Sequence, residues 1–182
     1  NALFDRKAPL LLAHRGFTPE APENTLASFR AAARHHFFAI ETDVHQTSDG
    51  VLVCCHDSSL RKMYGSDIII EEATFSELKD LRVKVGNNVA NLPDEDLRLP
   101  LFSEYLSICK KASCVPFIET KGNVVGEVLS MVEKEGLIDV SVLSSTDFEH
   151  IKEARRINRD IFIHHIFTDD ECMMQIASLG NG

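Results

Sequence analysis

The chain has 182 residues, 44% hydrophobic and 26% charged, a composition that suits one globular domain with a sizeable core and excludes disorder as its main state. Its formal charge of -9, with acidic and basic residues interspersed, argues against a nucleic-acid surface or a polybasic membrane patch. A small anionic substrate stays open wherever cations gather locally.

In chain order, "PLLLA" (9–13) is an apolar run bounded by proline and glycine and predicts a buried strand. "TPEAPENT" then leads into "LASFRAAARHHF", where Leu26, Phe29, Ala33 and Phe37 recur at helical spacing and Thr25 is suited to cap the first turn. "FAIETDV" and "VLVCCHD" read as strands on either side of a tight "SDG" turn. From Ser58 to Leu99 the pattern weakens: "FSELKDL" predicts a short helix and "GNNVANLPDEDLRLP" an irregular stretch.

Regular alternation then returns. "LFSEYLSICKKA", "VVGEVLSMVEKE", "DFEHIKEARRI" and "DDECMMQIASLG" predict helices, and "VPFIETK", "VSVLSS" and "IFIHHIF" predict strands. Strands alternating with helices imply repeated βαβ units, and strands apolar on both faces fit a parallel sheet covered on both sides. An eight-stranded βα barrel takes about 250 residues. Six strand candidates therefore predict an α/β architecture of one domain over 1–182, about two βα units short of closure.

The five cysteines, Cys54, Cys55, Cys109, Cys114 and Cys172, show neither CxxC pairing nor metal spacing with histidine. They read as reduced, mostly buried thiols, which favours a reducing compartment such as the cytoplasm. No apolar stretch approaches the roughly 18 residues of a membrane helix, and no signal peptide is visible. The leading "NA" without Met reads as a processing site or an expression scar.

Ionisable groups gather where strands end. His14 and Arg15 follow "PLLLA", Glu41 and Asp43 lie late in "FAIETDV", His56 follows "VLVCC", and Glu119 and Lys121 lie late in "VPFIETK". In a parallel βα sheet these ends open onto one rim, where ligand and catalytic groups collect. Glu41 and Asp43, two apart on a strand, leave the same face, and closely held carboxylates call for a shared proton or a cation. With Glu119 as a third oxygen donor and no thiol nearby, the set suits a hard divalent ion, Ca²⁺ or Mg²⁺. A solvated acidic rim, or ion pairs with Arg15 and Lys121, is the plain alternative.

His14 and His56 form the natural acid/base pair near neutral pH. Arg15 would hold phosphate oxygens with its planar fork and Lys121 with a point charge. His35, His36, His150, His164 and His165 read as structural, and His45 as a turn residue or a support beside Asp43.

"AHRG", "PENTLASF", "IETDVHQTSDGVLVCCHD", "LPLFSEYL" and "FIETKG" resemble, in order and spacing, the motifs of the glycerophosphodiester phosphodiesterase family, densely over 12–122 and loosely beyond. The resemblance implies a TIM-type (β/α)8 barrel and metal-dependent hydrolysis of small glycerophosphodiesters to glycerol 3-phosphate and an alcohol. It implies Glu41, Asp43 and Glu119 as metal ligands, His14 and His56 as general base and acid, and phosphate contacts from Arg15 and Lys121. Glu23 and Asn24 of "PENT" would shape the rim beside His14, or serve only as helix entry. The stretch 58–99 falls where the family carries an inserted cap.

The family's mechanism resembles that of phosphoinositide-specific phospholipases C, in which a neighbouring substrate hydroxyl attacks phosphorus before water completes the hydrolysis. The family's last strands have no counterpart before Gly182, so the expectation is a truncated chain or a partner chain, including a second copy, over the open sheet. Two rivals stand beside the enzyme: a related phospholipase acting on lipid phosphodiesters, and a non-catalytic phosphate or metal binder.

Overall fold

The structure, a computed structural model, describes residues 9–167 and 175–180. Its strands are β1 (Leu12–Ala13), β2 (Ala39–Gln46), β3 (Leu52–Cys54), β4 (Val115–Thr120), β5 (Val142–Ser145) and β6 (Phe162–His165). Its helices are α1 (Leu26–Arg34), α2 (Arg61–Tyr64), α3 (Phe75–Leu78), α4 (Phe102–Ala112), α5 (Val125–Lys134) and α6 (Phe148–Ile157). The parallel strands lie in the order β1-β2-β4-β5-β6, each added beyond the last. That succession is the singly wound order of a βα barrel wall, not the doubled-back order of an open doubly wound sheet.

The predicted third βα strand is corrected. "VLVCC" forms β3, which runs antiparallel to β2 with Val44 opposite Cys54 and Gln46 opposite Leu52. Only 47–51 separate β2 from β3, enough for a hairpin and far too few for the dozen or more residues of a parallel crossover. Thr47 closes the turn, its N–H donating to Val51 O and its hydroxyl oxygen accepting from Val51 N–H, both at 2.9 Å. Five parallel strands, rather than six, therefore stand among the described residues.

The "PLLLA" strand is also shorter and less buried than predicted. Only Leu12 and Ala13 pair with β2, and Leu11 is 62% exposed. β1 has one strand neighbour among the described residues. Half of the predicted helix over 169–180, residues 169–174, lies outside the described residues; 175–178 is helical.

The main core packs Phe29, Phe102, Tyr105, Val128, Leu129 and Ile151 from the helices against Ile40, Ile118 and Leu143 of the sheet. Tyr105 carries a polar task there. Its hydroxyl donates to Ile40 O at 2.6 Å and accepts from Phe117 N–H at 3.0 Å, bridging β2 and β4. A second core, including Val53, Leu60, Tyr64, Ile70, Leu78 and Leu99, holds the stretch between β3 and α4 together despite its short elements.

Candidate active site

At the exit of β1 the chain turns through two left-handed residues, Arg15 at φ 56° and Gly16 at φ 83°. A Cβ on Gly16 would collide with Ser28 of α1, so a side chain is excluded there. The turn aims Arg15 N–H at Glu41 Oε2, 2.7 Å away, and leaves His14 Nε2 3.9 Å from the same oxygen, with its side chain 65% exposed. Thr25 caps α1 in a reciprocal capping box with Ser28, as its sequence predicts.

Glu41, Asp43 and Glu119 are all buried, and one oxygen from each lies within 4.8 Å of the others. β2 supplies the first two and β4 the third, with Asp43 opposite Glu119 in the ladder. Burial, reinforced by the charges of Asp43 and Glu119, pushes the Glu41 carboxyl up to about 8. Asp43 Oδ1 is buried without a hydrogen bond, although Lys121 Nζ stands 3.1 Å away. An oxygen-only donor set, with a buried oxygen that makes no hydrogen bond of good geometry and a carboxyl that resists ionisation, fits a hard divalent cation.

The cations expected to hold phosphate also pair with these acids. Arg15 contacts Glu23 Oε1 at 3.1 Å and has Nε 3.4 Å from Asp43 Oδ2; Lys121 contacts Glu119 as well as Asp43. Burial alone would lower the Lys121 pKa, but the two carboxylates outweigh it and the net shift is upward. Ion pairing, the plain alternative for the acidic cluster, is thus present, yet it sets two cations against three carboxylates.

Asn24 does more than enter the helix. At φ 50° and 3% exposed, it donates to Asp43 Oδ2 at 3.0 Å while its carbonyl accepts from the Thr42 hydroxyl at 2.8 Å. Glu23 engages Arg15.

His56 reaches the region by a different route from the one expected. Its strand runs opposite to the others, yet Cys55 N–H donates to Asp43 O at 3.0 Å, which returns the chain to the level of the acids. Val44 pairs with both Cys54 and Thr120, and Ile40 with both Ala13 and Pro116. β1 and β3 therefore share the edge of β2 opposite β4, and that edge carries both His14 and His56. His56 Nδ1 lies 2.7 Å from Asp57 Oδ1, a pair that lowers the Asp57 pKa and fixes the ring.

His45 is a buried strand residue rather than a turn residue, its ring spanning from Glu71 Oε1 at 2.5 Å to His56 O at 3.2 Å. The structural reading suits His150 and His165. His150 Nδ1 lies 3.1 Å from Ser145 Oγ, which also accepts from Asp147 N–H, and His165 Nδ1 donates to Ser145 O at 2.9 Å. Ser145 is 1% exposed, and its hydroxyl is taken up by these structural contacts. His164 is different: it is exposed, at the level of Glu119, and its position on that face follows from strand register that no local motif announces.

The family model described as glycerophosphoryl diester phosphodiesterase matches residues 14–174. Human glycerophosphodiester phosphodiesterase 1 is 31% identical over 155 residues, covering 82% of this chain and 46% of its own length. Human lysophospholipase D GDPD1 is 25% identical over 154 residues, covering 82% of this chain and 49% of the relative. The chain thus spans about half the length of these curated relatives. Among solved structures, an Oleispira antarctica phosphodiesterase in complex with its product sn-glycerol-3-phosphate superposes with a TM-score of 0.83 at 22% identity, over 94% of this chain and 72% of the other. At that identity the likeness speaks for the fold, which is of the TIM-barrel type.

Proposed function

The chain belongs to the glycerophosphoryl diester phosphodiesterase family, and on that premise we propose that its protein hydrolyses glycerophosphodiesters, with water, to glycerol 3-phosphate and an alcohol. The observation that carries this reading is the trio of buried carboxylates, Glu41, Asp43 and Glu119, with oxygens close enough to share one ion. These three residues would hold a divalent ion, Ca²⁺ or Mg²⁺, which would supply Lewis acidity toward the oxygens of the substrate. Arg15 and Lys121 direct N–H donors at the phosphoryl oxygens.

His14 and His56 divide the proton work. One accepts the proton of the substrate hydroxyl that attacks phosphorus while the other protonates the leaving alcohol. Water then opens the cyclic phosphate with the roles reversed. The Asp57 contact at Nδ1 leaves His56 Nε2 as the atom for that exchange. The stretch 58–99, with a core of its own beside β3, serves as the cap over one side of the site.

The test is a panel of glycerophosphodiesters assayed on the full-length protein with chelator, then with Ca²⁺ or Mg²⁺ restored. Glycerol 3-phosphate release that stops with chelator and resumes with the ion is expected; no release under any condition refutes the reading. A second reading, cleavage of lysophospholipids in vesicles, draws on the match to human lysophospholipase D GDPD1 and is separated by the same assay with that substrate.

A further inference from the structure

Register places a fourth strand in line with the carboxylates. Asp43 stands opposite Glu119, Glu119 opposite Ser144, and Ser144 opposite His164. Matched positions on neighbouring parallel strands project from one face, so Ser144 and His164 share the face that carries the acids. The His164 ring is held in place: Nδ1 lies 2.9 Å from Ser144 Oγ, and the ring meets Phe117 edge-on at 5.2 Å between centroids. Among the described residues no hydrogen bond engages Nε2, and the residue is exposed. Partial desolvation of the ring where it packs on its neighbours, with the charge of His165 adding to it, lowers the His164 pKa against the opposing pull of Glu119, which favours the uncharged ring.

Distance decides what the ring can do. β6 lies two strands from β4, about 10 Å at the usual strand spacing, and His164 is not among the side chains whose ligand atoms gather closely enough to share one ion. A phosphorylated three-carbon polyol with its phosphate at that ion spans much of the gap. A ring with one free nitrogen and no charge matches a hydroxyl better than a phosphate or a charged head group.

We infer that His164, oriented by Ser144, forms the subsite for a hydroxyl of the glycerol half of the diester. The inference rests on the diesterase reading above.

The experiment uses the full-length enzyme with its ion and compares wild type, His164→Ala, His164→Asn and Ser144→Ala. Product inhibition by sn-glycerol 3-phosphate is set against inhibition by inorganic phosphate, which lacks the polyol. His164→Ala should weaken inhibition by glycerol 3-phosphate about tenfold, the usual scale for one lost hydrogen bond, and leave inorganic phosphate unaffected. KM should rise while kcat stays within about twofold of wild type, His164→Asn should restore part of the loss, and Ser144→Ala should show a smaller selective loss. Equal weakening of both inhibitors, or unchanged inhibition by glycerol 3-phosphate, overturns the subsite in an otherwise active enzyme. A wild-type enzyme that releases no glycerol 3-phosphate overturns the diesterase reading, and the subsite with it.

Discussion

Asn24 donates its amide to Asp43 Oδ2 at 3.0 Å from a backbone held at φ 50°. Asparagine tolerates this left-handed conformation better than most residues, and Thr42 fixes which end of the amide faces the acid. Asn24→Ala should cost about 1–3 kcal/mol of stability, since a buried carboxylate oxygen loses its donor. It should also weaken divalent-ion binding. Asn24→Gly accepts the same φ, so it should recover part of the stability and none of the ion affinity. Thermal denaturation and calorimetry with Ca²⁺ or Mg²⁺ measure the two effects; an Asn24→Gly variant with wild-type ion affinity would show that the amide does not position Asp43.

The Glu41 carboxyl, pushed up to about 8 chiefly by burial, makes the ion-free protein sensitive to pH. Between the ordinary glutamate value of 4.5 and about 8, the folded chain holds a proton that the unfolded chain has released. Stability of the ion-free protein should therefore fall as pH rises through this window. An entering cation displaces that proton, so its affinity should climb with pH and level off above about 8. Calorimetry in buffers of different ionisation enthalpy reads the proton release directly. An affinity that is flat from about pH 6 to 9 would contradict the shift.

His14→Ala and His56→Ala should each lower kcat by about 10²–10⁴, the range for loss of a general acid or base. Neither ring belongs to the carboxylate trio, so ion binding should survive both changes. Near-normal turnover by both variants would remove the pair from the mechanism.

Gly16→Ala introduces a Cβ into the space held by Ser28 at a φ of 83°. Overpacking and left-handed strain together should cost roughly 2–4 kcal/mol. Because the same turn aims Arg15 N–H at Glu41, activity should fall more than stability alone explains. A variant with the wild-type melting temperature would mean that the turn relaxes at little cost.

Tyr105→Phe deletes a buried hydroxyl that joins Ile40 O to Phe117 N–H. Two backbone groups lose their partner while the apolar ring contacts persist, so the expected loss is about 1–3 kcal/mol. Denaturant titration should show a lower midpoint with an unchanged slope.

Much of this protein was legible locally. Thr25 as a helix cap, the helices α4, α5 and α6, the exit of β1 at His14 and the late position of Glu119 in β4 each follow from side chains within a few residues of one another, whereas Glu41 and Asp43, expected late in their strand, lie inside β2, which runs on to Gln46. Capping and apolar periodicity are short-range effects, so the chain declares them without knowing its neighbours. The direction of β3 lay within reach as well, since the five-residue spacing 47–51 admits only a hairpin.

The amide of Asn24 on Asp43, the ring of His45 on the carbonyl of His56, and the level shared by Glu119, Ser144 and His164 were decided by tertiary structure alone. Which residue faces the mouth depends on the register between strands far apart in the chain. A slip of one residue would turn His164 to the opposite face with no change in its own sequence.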